Sequence, residues 1–571
     1  MKKSHRSTAF GKLLFWMALA VPLAAQCQQF GQQQQEEREL APVSRTYAIT
    51  NATITQGPGR KITQATLVIK NGLISAVGKG VSIPPDAIII KGDSLNIYAG
   101  FIDGLSRVGV AKPKEDANRE RPKDPGNPTP EFAGITPEKD VRTALNPQEK
   151  SIEEIRALGF TVAQVVPYGN MLPGSAAVIL LSGKTVDAMI LTGKSALFSE
   201  LQGAQRAYPS TVIAVMAKFR ELYKQAQQSK NYESMYASNR SGLNRPASDR
   251  VLEAFYPVID KKIPVVFEAD KYLETQRIMN LQSDLGFLLV LADVKEGWEA
   301  ISKIKSTNTK VFLSLDLPED KKESKDKKPE AKEEDTTLST QEKEALEKRK
   351  EEFLALHTGQ AAAFQKAGVT FGFSTLSAKT SDVRANLRRM IKAGLTEDQA
   401  LAALTTNGAQ LLGLSDRLGT LDNGKIANVV ITDKPYFHEK SNVRYVFVDG
   451  VMYKYDPKDA PKAEASKFDI VGTWAVTTNT PDGKTQETLT IKKEGKDFTG
   501  SVSGGKLTQA VPLELIELNG SSLKYNYTVQ MGGQSYKVDV QATVDATSFK
   551  GTAQVGTTGS FAVEAKKEPN R

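Results

Sequence analysis

Apolar and polar residues alternate through residues 46–97, in runs such as TYAITNATIT and QATLVIKNGLISAVG, with Asn71-Gly72 separating two of the runs. Alternation with a period of two marks strands that have one covered face, and an Asn-Gly pair supplies the backbone of a tight hairpin. A small β unit over 46–97 is the expectation. From about residue 98 the pattern changes. Short runs that are apolar throughout, TVAQVV, AAVILL, IPVVF, GFLLVL, KVFLSL and VTFGF, are separated by segments with helical spacing. In VIAVMAKFRELYKQAQQ, Val212, Val215, Met216, Phe219, Leu222 and Tyr223 fall on one face. TEDQ, ahead of Leu401 and Leu404, predicts another helix start, with Thr396 capping the free amides and Gln399 reaching back. Strands apolar on both faces and alternating with helices predict a parallel sheet covered on both sides, most simply a (β/α) barrel.

Two stretches interrupt that pattern. Residues 111–150 are rich in proline and charge and read as a long surface loop. Residues 319–352 are nearly all charged or polar and bury too little apolar surface to offset the entropy of ordering. They read as a solvated insertion, with a docking arm as the alternative. After the barrel region, GKIANVVITD and VRYVFVDGVMYKYD return to strand alternation, with Asp449-Gly450 as a second tight turn. Over 468–566 come short alternating strands punctuated by glycine, among them GTWAVTT, ETLTIKKEG, LKYNYTVQ, YKVDVQATV and FKGTAQVG. They predict an up-and-down β barrel or sandwich of about 100 residues.

Composition sharpens the picture in three places. A chain of 571 residues with 40% hydrophobic and 25% charged residues is an ordinary globular composition, too long for a single core. The net charge of +9 does not indicate nucleic acid: it is spread along the chain, no block alternates basic and aromatic residues, and Lys2, Lys3, Arg6 and Lys12 lie at the very start. That start, MKKSHR followed by LLFWMALAVPLAA, has the form of a signal peptide over 1–25, followed by a Gln-rich tether over 26–45. Export to the periplasm or outer membrane follows as an expectation, with no transmembrane span after signal removal. Cys27, the chain's one cysteine, stands where a bacterial lipid attachment site would lie, although Gln26 replaces the small residue such a site prefers. With one cysteine there is no internal disulfide.

Three segments carry a resemblance to a known family: YAGFIDGLSRVG at 98–109, AGLTEDQALAALTTNGAQLLGLSDRLGTLDNGKIANVVITD, and VRYVFVDGVMY. Over roughly 46–455 the chain resembles the metal-dependent amidohydrolases, in particular their secreted branch related to imidazolonepropionase. The resemblance implies a (β/α)8 TIM-like barrel over 98–415 beside a composite β sandwich built from 46–97 and 416–455. It also implies hydrolysis of carbon–nitrogen bonds in small molecules or dipeptides. In that family a Lewis acid, usually Zn²⁺, activates the hydrolytic water. Its first two ligands form a His-x-His pair beginning two residues after the aspartate matched by Asp103; here Leu105 and Arg107 stand there. Leucine has no lone pair to give, and arginine stays protonated and repels a divalent cation. The strand resembling that of a third histidine ends in Glu268 and Asp270, that of a fourth offers Ala292 and then Asp293, and Leu376 replaces the metal-binding aspartate. No clear equivalent of the family's bridging lysine is found. The expectation is that no cofactor is bound, with Zn or Mn as the alternative.

Other residues offer other chemistry. The three histidines, His5, His357 and His438, are widely separated in sequence and read as structural or solvent-exposed. Glu268, Asp270, Asp293 and Asp316 fall at or just after barrel strands. Such carboxylates can bind a hard cation or run metal-free acid/base catalysis, or simply cap helices and pair with Lys271, Lys295 and Arg107. Ser374 and Thr375 sit at a strand end without a histidine beside them in sequence. The loop YGNMLPGSAA, residues 168–177, corresponds to a pocket-lining loop of the secreted branch, which makes Asn170 and Gly174, with Arg107, the substrate-binding candidates; the alternative is a plain turn. FDIVGTWAV resembles the Gly-x-Trp start of lipocalin-like barrels, with Trp474 closing one end. The resulting expectation is an exported, non-catalytic binding or partner subunit that takes a small-molecule ligand and pairs with a catalytically complete paralogous amidohydrolase subunit. The alternatives are an active amidohydrolase with a rebuilt site on Glu268, Asp270 and Asp293, and an envelope ligand-binding protein led by the C-terminal β domain.

Overall fold

The computed structural model describes residues 46–113, 122–319, 340–455 and most of 469–568. The signal-like start, the Gln-rich tether, Cys27 and most of the charged insertion lie outside the described residues. The first strands are β1 (Tyr47–Gly57), β2 (Arg60–Lys70), β3 (Leu73–Gly78), β4 (Ile88–Lys91) and β5 (Asn96–Ala99). Asn71 and Gly72 join β2 to β3 with φ of 53° and 75°, both in the left-handed region that a type I′ turn requires.

The chain then enters an eight-stranded barrel: β6 (Phe101–Ser106), β7 (Phe160–Val165), β8 (Gly174–Leu180), β9 (Ile190–Ser199), β10 (Val265–Glu268), β11 (Leu289–Val294), β12 (Lys310–Ser314) and β13 (Phe371–Ser374). The strands pair in sequence order, and the sheet is not wholly parallel as its apolar runs imply. β8 runs antiparallel to both β7 and β9. The connection 166–173 is too short to carry a crossover helix, so the chain turns back as a hairpin instead. Helices α1 (Val212–Ser238), α2 (Tyr272–Leu285), α3 (Thr340–Ala367), α4 (Val383–Lys392), α5 (Glu397–Leu404) and α6 (Thr406–Leu411) follow the later strands. α1 buries Val215, Phe219, Leu222 and Tyr223, with Val212 and Met216 half-buried beside them. Thr396 caps α5 by accepting from the Gln399 amide at 3.3 Å, but its own amide is satisfied by Gln365 Oε1 at 3.1 Å, from another helix. Residues 340–352, assigned from sequence to the solvated insertion, form the first half of α3, where residues 341, 342 and 344–352 are exposed.

β6 and β13 meet without a backbone ladder, and side chains close that seam. Ser374 Oγ donates to Leu105 O at 2.9 Å, the Thr375 amide donates to Asp103 Oδ1 at 3.0 Å, and the Thr375 hydroxyl also donates to Asp103. Inside the barrel every strand but β7 and β13 contributes to one apolar cluster, with Val166 just after β7 and Leu411 of α6: Leu105, Val166, Ala176, Ala196, Phe198, Val266, Val290, Ala292, Phe312 and Leu411. Phe312 lies over its register partner Gly372 on the neighbouring β13 and over Gly104 on β6 beyond it: a Cβ at Gly104 would lie 1.9 Å from its ring, and one at Gly372 2.6 Å away. The segment expected as a surface loop is in its described part a packed cover: Ala133, Ile135, Val141 and Leu145 are buried, and Ile135 and Asp140 bridge to Leu172 and Ser175. Isolated apolar residues among prolines and charges left no periodic signal to read.

After α6 the chain returns to the first sheet through β14 (Val429–Thr432), β15 (Val443–Val448) and β16 (Val451–Lys454). Both ends of this part of the chain thus build one eight-stranded sheet with its own core around Ile49, Ile54, Leu67, Ile97, Val429 and Phe447. The C-terminal unit comprises β17 (Gly472–Thr480), β18 (Gly483–Glu494), β19 (Asp497–Gly504), β20 (Val511–Pro512), β21 (Leu515–Asn519), β22 (Ser522–Met531), β23 (Gln534–Val544), β24 (Ser548–Val555) and β25 (Gly559–Lys567). All neighbours are antiparallel, and β17 pairs with both β18 and β25. The Leu513 amide bonds to Gly500 O at 2.9 Å and the Glu514 amide to Asn526 O at 2.9 Å, so β20 and β21 act as one bent strand joining the two edges of the sheet. Trp474 is fully buried there, its indole N–H donating to Ile470 O at 2.9 Å. Among the described residues no helix is long and apolar enough to cross a membrane.

Two predictions follow from the packing. Gly104→Ala overfills the barrel interior and lowers stability by about 3 kcal/mol, measured by chemical unfolding, and adding Phe312→Leu recovers part of the loss; an unchanged midpoint in Gly104→Ala contradicts this. Burial pushes the Asp103 carboxyl up to about 7, against the hydrogen bonds from Thr375 and Ser106 that favour its charge. Its ordinary value is near 3.8, so the folded state holds the proton more tightly than the unfolded chain. That stabilisation is fully present below about pH 4 and is lost as pH rises through about 7. Asp103→Asn therefore flattens the decline of Tm between pH 5 and 8, read by thermal denaturation across that range.

Candidate functional site

In a barrel of this kind the ends of the parallel strands share one mouth. β6 delivers Arg107 there, β9 delivers Glu200, β10 ends in Glu268, and β11 carries Asp293 near its end. Arg107 and Glu200 form an ion pair whose side chains are 22% and 7% exposed. The Arg107 guanidinium also lies 4.8 Å above the Tyr168 ring, while its buried Nε has no hydrogen-bond partner. The loop that carries Tyr168 is tied to the end of β9: Ser199 Oγ donates to Met171 O at 2.9 Å, and the Glu200 amide does so at 3.0 Å.

Burial, then the negative charges of Glu200 and Asp293, push Glu268 up to about 8, with Arg107 opposing. Glu200 is also raised by burial, against the Arg107 charge and a hydrogen bond from Glu268. The direction for the pair is that Glu268 keeps its proton at neutral pH and donates to an ionised Glu200, which Arg107 compensates. Asp293 adopts φ of 54°, where the β11–β12 register shifts between Leu291 and Val294. The irregularity re-aims its carboxylate, as bulges do. Ser374 Oγ, whose one proton is shared between Leu105 O and Asp293 Oδ1, lies 2.8 Å from Oδ1, and Ser377 Oγ donates to Oδ2 at 2.5 Å, so each oxygen has a serine hydroxyl beside it. Burial raises this carboxyl, and the serine hydroxyls of residues 377, 374 and 314 oppose the shift.

Asp270 stands apart from that group. It is half-exposed and lies 3.3 Å from Lys295 Nζ, which also meets Asp316 at 3.0 Å. Burial alone would lower the Lys295 ammonium, but Asp316, Asp270 and Asp293 more than offset it and hold it above its ordinary value. Of the sequence candidates, Glu268 and Arg107 therefore come together, with Asp293 within electrostatic reach, while Asp270 and Asp316 belong to a lysine-centred ion pair.

The loop candidates are structural. A Cβ at Gly174 would lie 2.5 Å from Lys139 O, so this glycine lets the 135–145 segment approach β8. Asn170 is half-buried with its Cβ 2.6 Å from where a Cβ of Gly134 would stand. Leu105 and Ala292 are fully buried in the apolar barrel plug, and Leu376 packs against it. His357 is buried, its Nδ1 2.8 Å from Phe353 O and its ring 5.0 Å from that of Trp298; His438 is exposed and accepts from the Lys440 amide at 3.1 Å. Among the described residues no group of three or more His, Cys, Asp or Glu side chains is arranged to hold a metal ion. Glu200 was not identified from sequence. Its signal was the same one that marked Glu268, a carboxylate directly after an apolar strand run, ALFS in one case and VVF in the other.

Residues 323–453 match the Amidohydrolase family. No curated protein matches the chain in sequence. Among solved structures, an amidohydrolase from Thermotoga maritima superimposes with a TM-score of 0.58 and 22% identity, covering 72% of this chain and 100% of that one. A Xaa-Pro dipeptidase with methionine bound in its active site gives 0.42 and 15%, over 72% of this chain and 100% of its own. Molinate hydrolase gives 0.41 and 14%, over 72% and 95%. The chain is thus similar in fold to an amidohydrolase, with a TIM-like barrel and a C-terminal all-β unit.

Proposed function

We propose that this protein is a non-catalytic member of the amidohydrolase-like barrels, exported by its signal-like start, whose barrel mouth binds a small molecule or a catalytically complete relative. The observation that carries the reading is the filling of the mouth. The positions that the resemblance gives to metal ligands hold Leu105 and Ala292, both inside an apolar plug, and Arg107, whose charge is already matched by Glu200. Zn²⁺ needs lone pairs from imidazole, thiolate or carboxylate at those places. Buried aliphatic side chains and a guanidinium do not fit it, so no catalytic step is routed through a metal here. Asp293, the carboxylate next to Ala292, is occupied at both oxygens by serine hydroxyls.

One observation favours a second reading. Glu200 and Glu268 share a proton beside an arginine. Pairs of carboxyls held in different protonation states can serve as acid and base in hydrolysis. The two readings separate in one assay: purified full-length protein is offered a panel of dipeptides and cyclic amides, with and without added Zn²⁺ or Mn²⁺. The non-catalytic reading predicts no turnover above background under either condition. Turnover that Glu268→Gln abolishes establishes the rebuilt carboxyl site, and turnover that appears only with metal overturns both. Affinity capture from the native cell envelope is expected to recover an amidohydrolase relative, and failure to do so removes the partner half of the proposal.

A further inference from the structure

The first half of α3 stands clear of the barrel and carries an apolar strip. Leu346, Phe353 and Leu356 are 42%, 48% and 48% exposed. Arg349 lies between them, and the four residues are spaced by three, four and three, as the a and d positions of a heptad are, so all fall on one face of the helix. Gln360, seven residues after Phe353, continues that face and packs at the mouth end of β11. Its Nε2 donates to Val294 O at 3.0 Å and its Oε1 accepts from the Gly297 amide at 2.5 Å. The strip therefore prolongs the packing face of α3 beyond the barrel mouth, where its apolar side chains are left open to solvent.

Scattered exposed apolar residues need no explanation, but a continuous strip marks an interaction surface. The flanks of this segment are charged and balanced within the helix: Lys350 pairs with Glu347 at 2.6 Å and Lys348 with Glu352 at 4.0 Å. Such pairs, among residues of high helix propensity, let the segment keep its helix in water. What remains to be covered is the strip, and the strip is complementary to itself. In an antiparallel pair centred on residue 351, Leu346 of one copy lies opposite Leu356 of the other, and Arg349 lies opposite Phe353, because both pairs are symmetric about that position. Each guanidinium then meets an aromatic face, which attracts it. A parallel pair would set Arg349 against Arg349 and repel.

From this pattern we infer that α3 is a dimerisation arm, whose exposed half packs antiparallel against the same segment of a second copy of this chain, mouth side toward mouth side. A two-fold axis at residue 351 makes the contact isologous, with the same strip used on both copies, and so closes the assembly at two. The contact is small, about three turns of helix on each side, so the dimer is concentration-dependent rather than permanent. This pairing of the chain with itself does not rest on what the barrel mouth binds, and its test uses neither ligand nor relative.

The experiment is disulfide trapping of full-length protein carrying Cys27→Ser, which removes the one native cysteine. Leu346→Cys and Leu356→Cys proteins are oxidised separately and as an equimolar mixture. The mixture is expected to give a cross-linked dimer roughly tenfold or more faster than either variant alone, because like positions sit about 15 Å apart along the paired helices, beyond disulfide reach. Light scattering over a roughly hundredfold range of concentration is expected to show dimer at the upper end for the wild-type protein. Leu346→Asp, a change at an exposed position that leaves the unfolding midpoint where it was, is expected to stay monomeric. Failure of the mixture to cross-link, equal trapping of like and unlike positions, a wild-type protein that is monomeric throughout, or a folded Leu346→Asp protein that still dimerises overturns the inference.

Discussion

An eight-stranded barrel encloses a space that side chains must fill, and in this protein one ring lies against the seam that closes it. Phe312 on β12 covers residues 372 and 104 on β13 and β6, the next two strands round the barrel, because both are glycine. Leu105, Ala292 and the other apolar residues of the cluster complete the layer. A packed interior cannot also be a hydrated pocket, since cores of this kind leave few voids larger than a water molecule. Whatever the barrel does must therefore happen above this layer, where Arg107, Glu200, Glu268 and Asp293 emerge. The same layer constrains the seam, because β6 supplies both Gly104 and the Asp103 that grips Thr375.

Above the plug the electrostatics are inward-looking. Arg107 answers Glu200, Glu268 keeps a proton because it is buried with two other carboxylates beside it, and Asp293 is tied down by serines on β13 and the turn beyond it. Groups arranged to satisfy one another are spent on holding the barrel end together. The exception is the Arg107 Nε, buried and without an acceptor. On the proposed reading this balance favours binding over bond cleavage, and a fold shared with an amidohydrolase is kept without that chemistry: fold and site are separable.

Much of this was legible in the sequence. The Asn71-Gly72 and Asp449-Gly450 turns, the buried face of α1 and the alternation of apolar strands with helices each declare a local geometry that tertiary packing then keeps. That Leu105, Arg107 and Ala292 offer no lone pair to a metal ion could be read because their chemistry is plain from the side chain alone. What could not be read depends on distance in space. The direction of β8 is set by a short connection rather than by its composition. The cap on Thr396 comes from Gln365, on a helix remote in sequence. The partner of Arg107 is Glu200, brought to it only by barrel closure, and the bent β20–β21 strand carries too few residues for any periodicity to register.

The central claim is that the barrel mouth lacks the donors to hold a transition-metal ion, and anomalous diffraction tests it most directly. Crystals grown with excess Zn²⁺ and measured above and below the zinc absorption edge are predicted to show no anomalous peak within the barrel mouth. An ordered peak there, coordinated by three or more side chains from β6, β10, β11 and β13 and their following loops, would contradict the account.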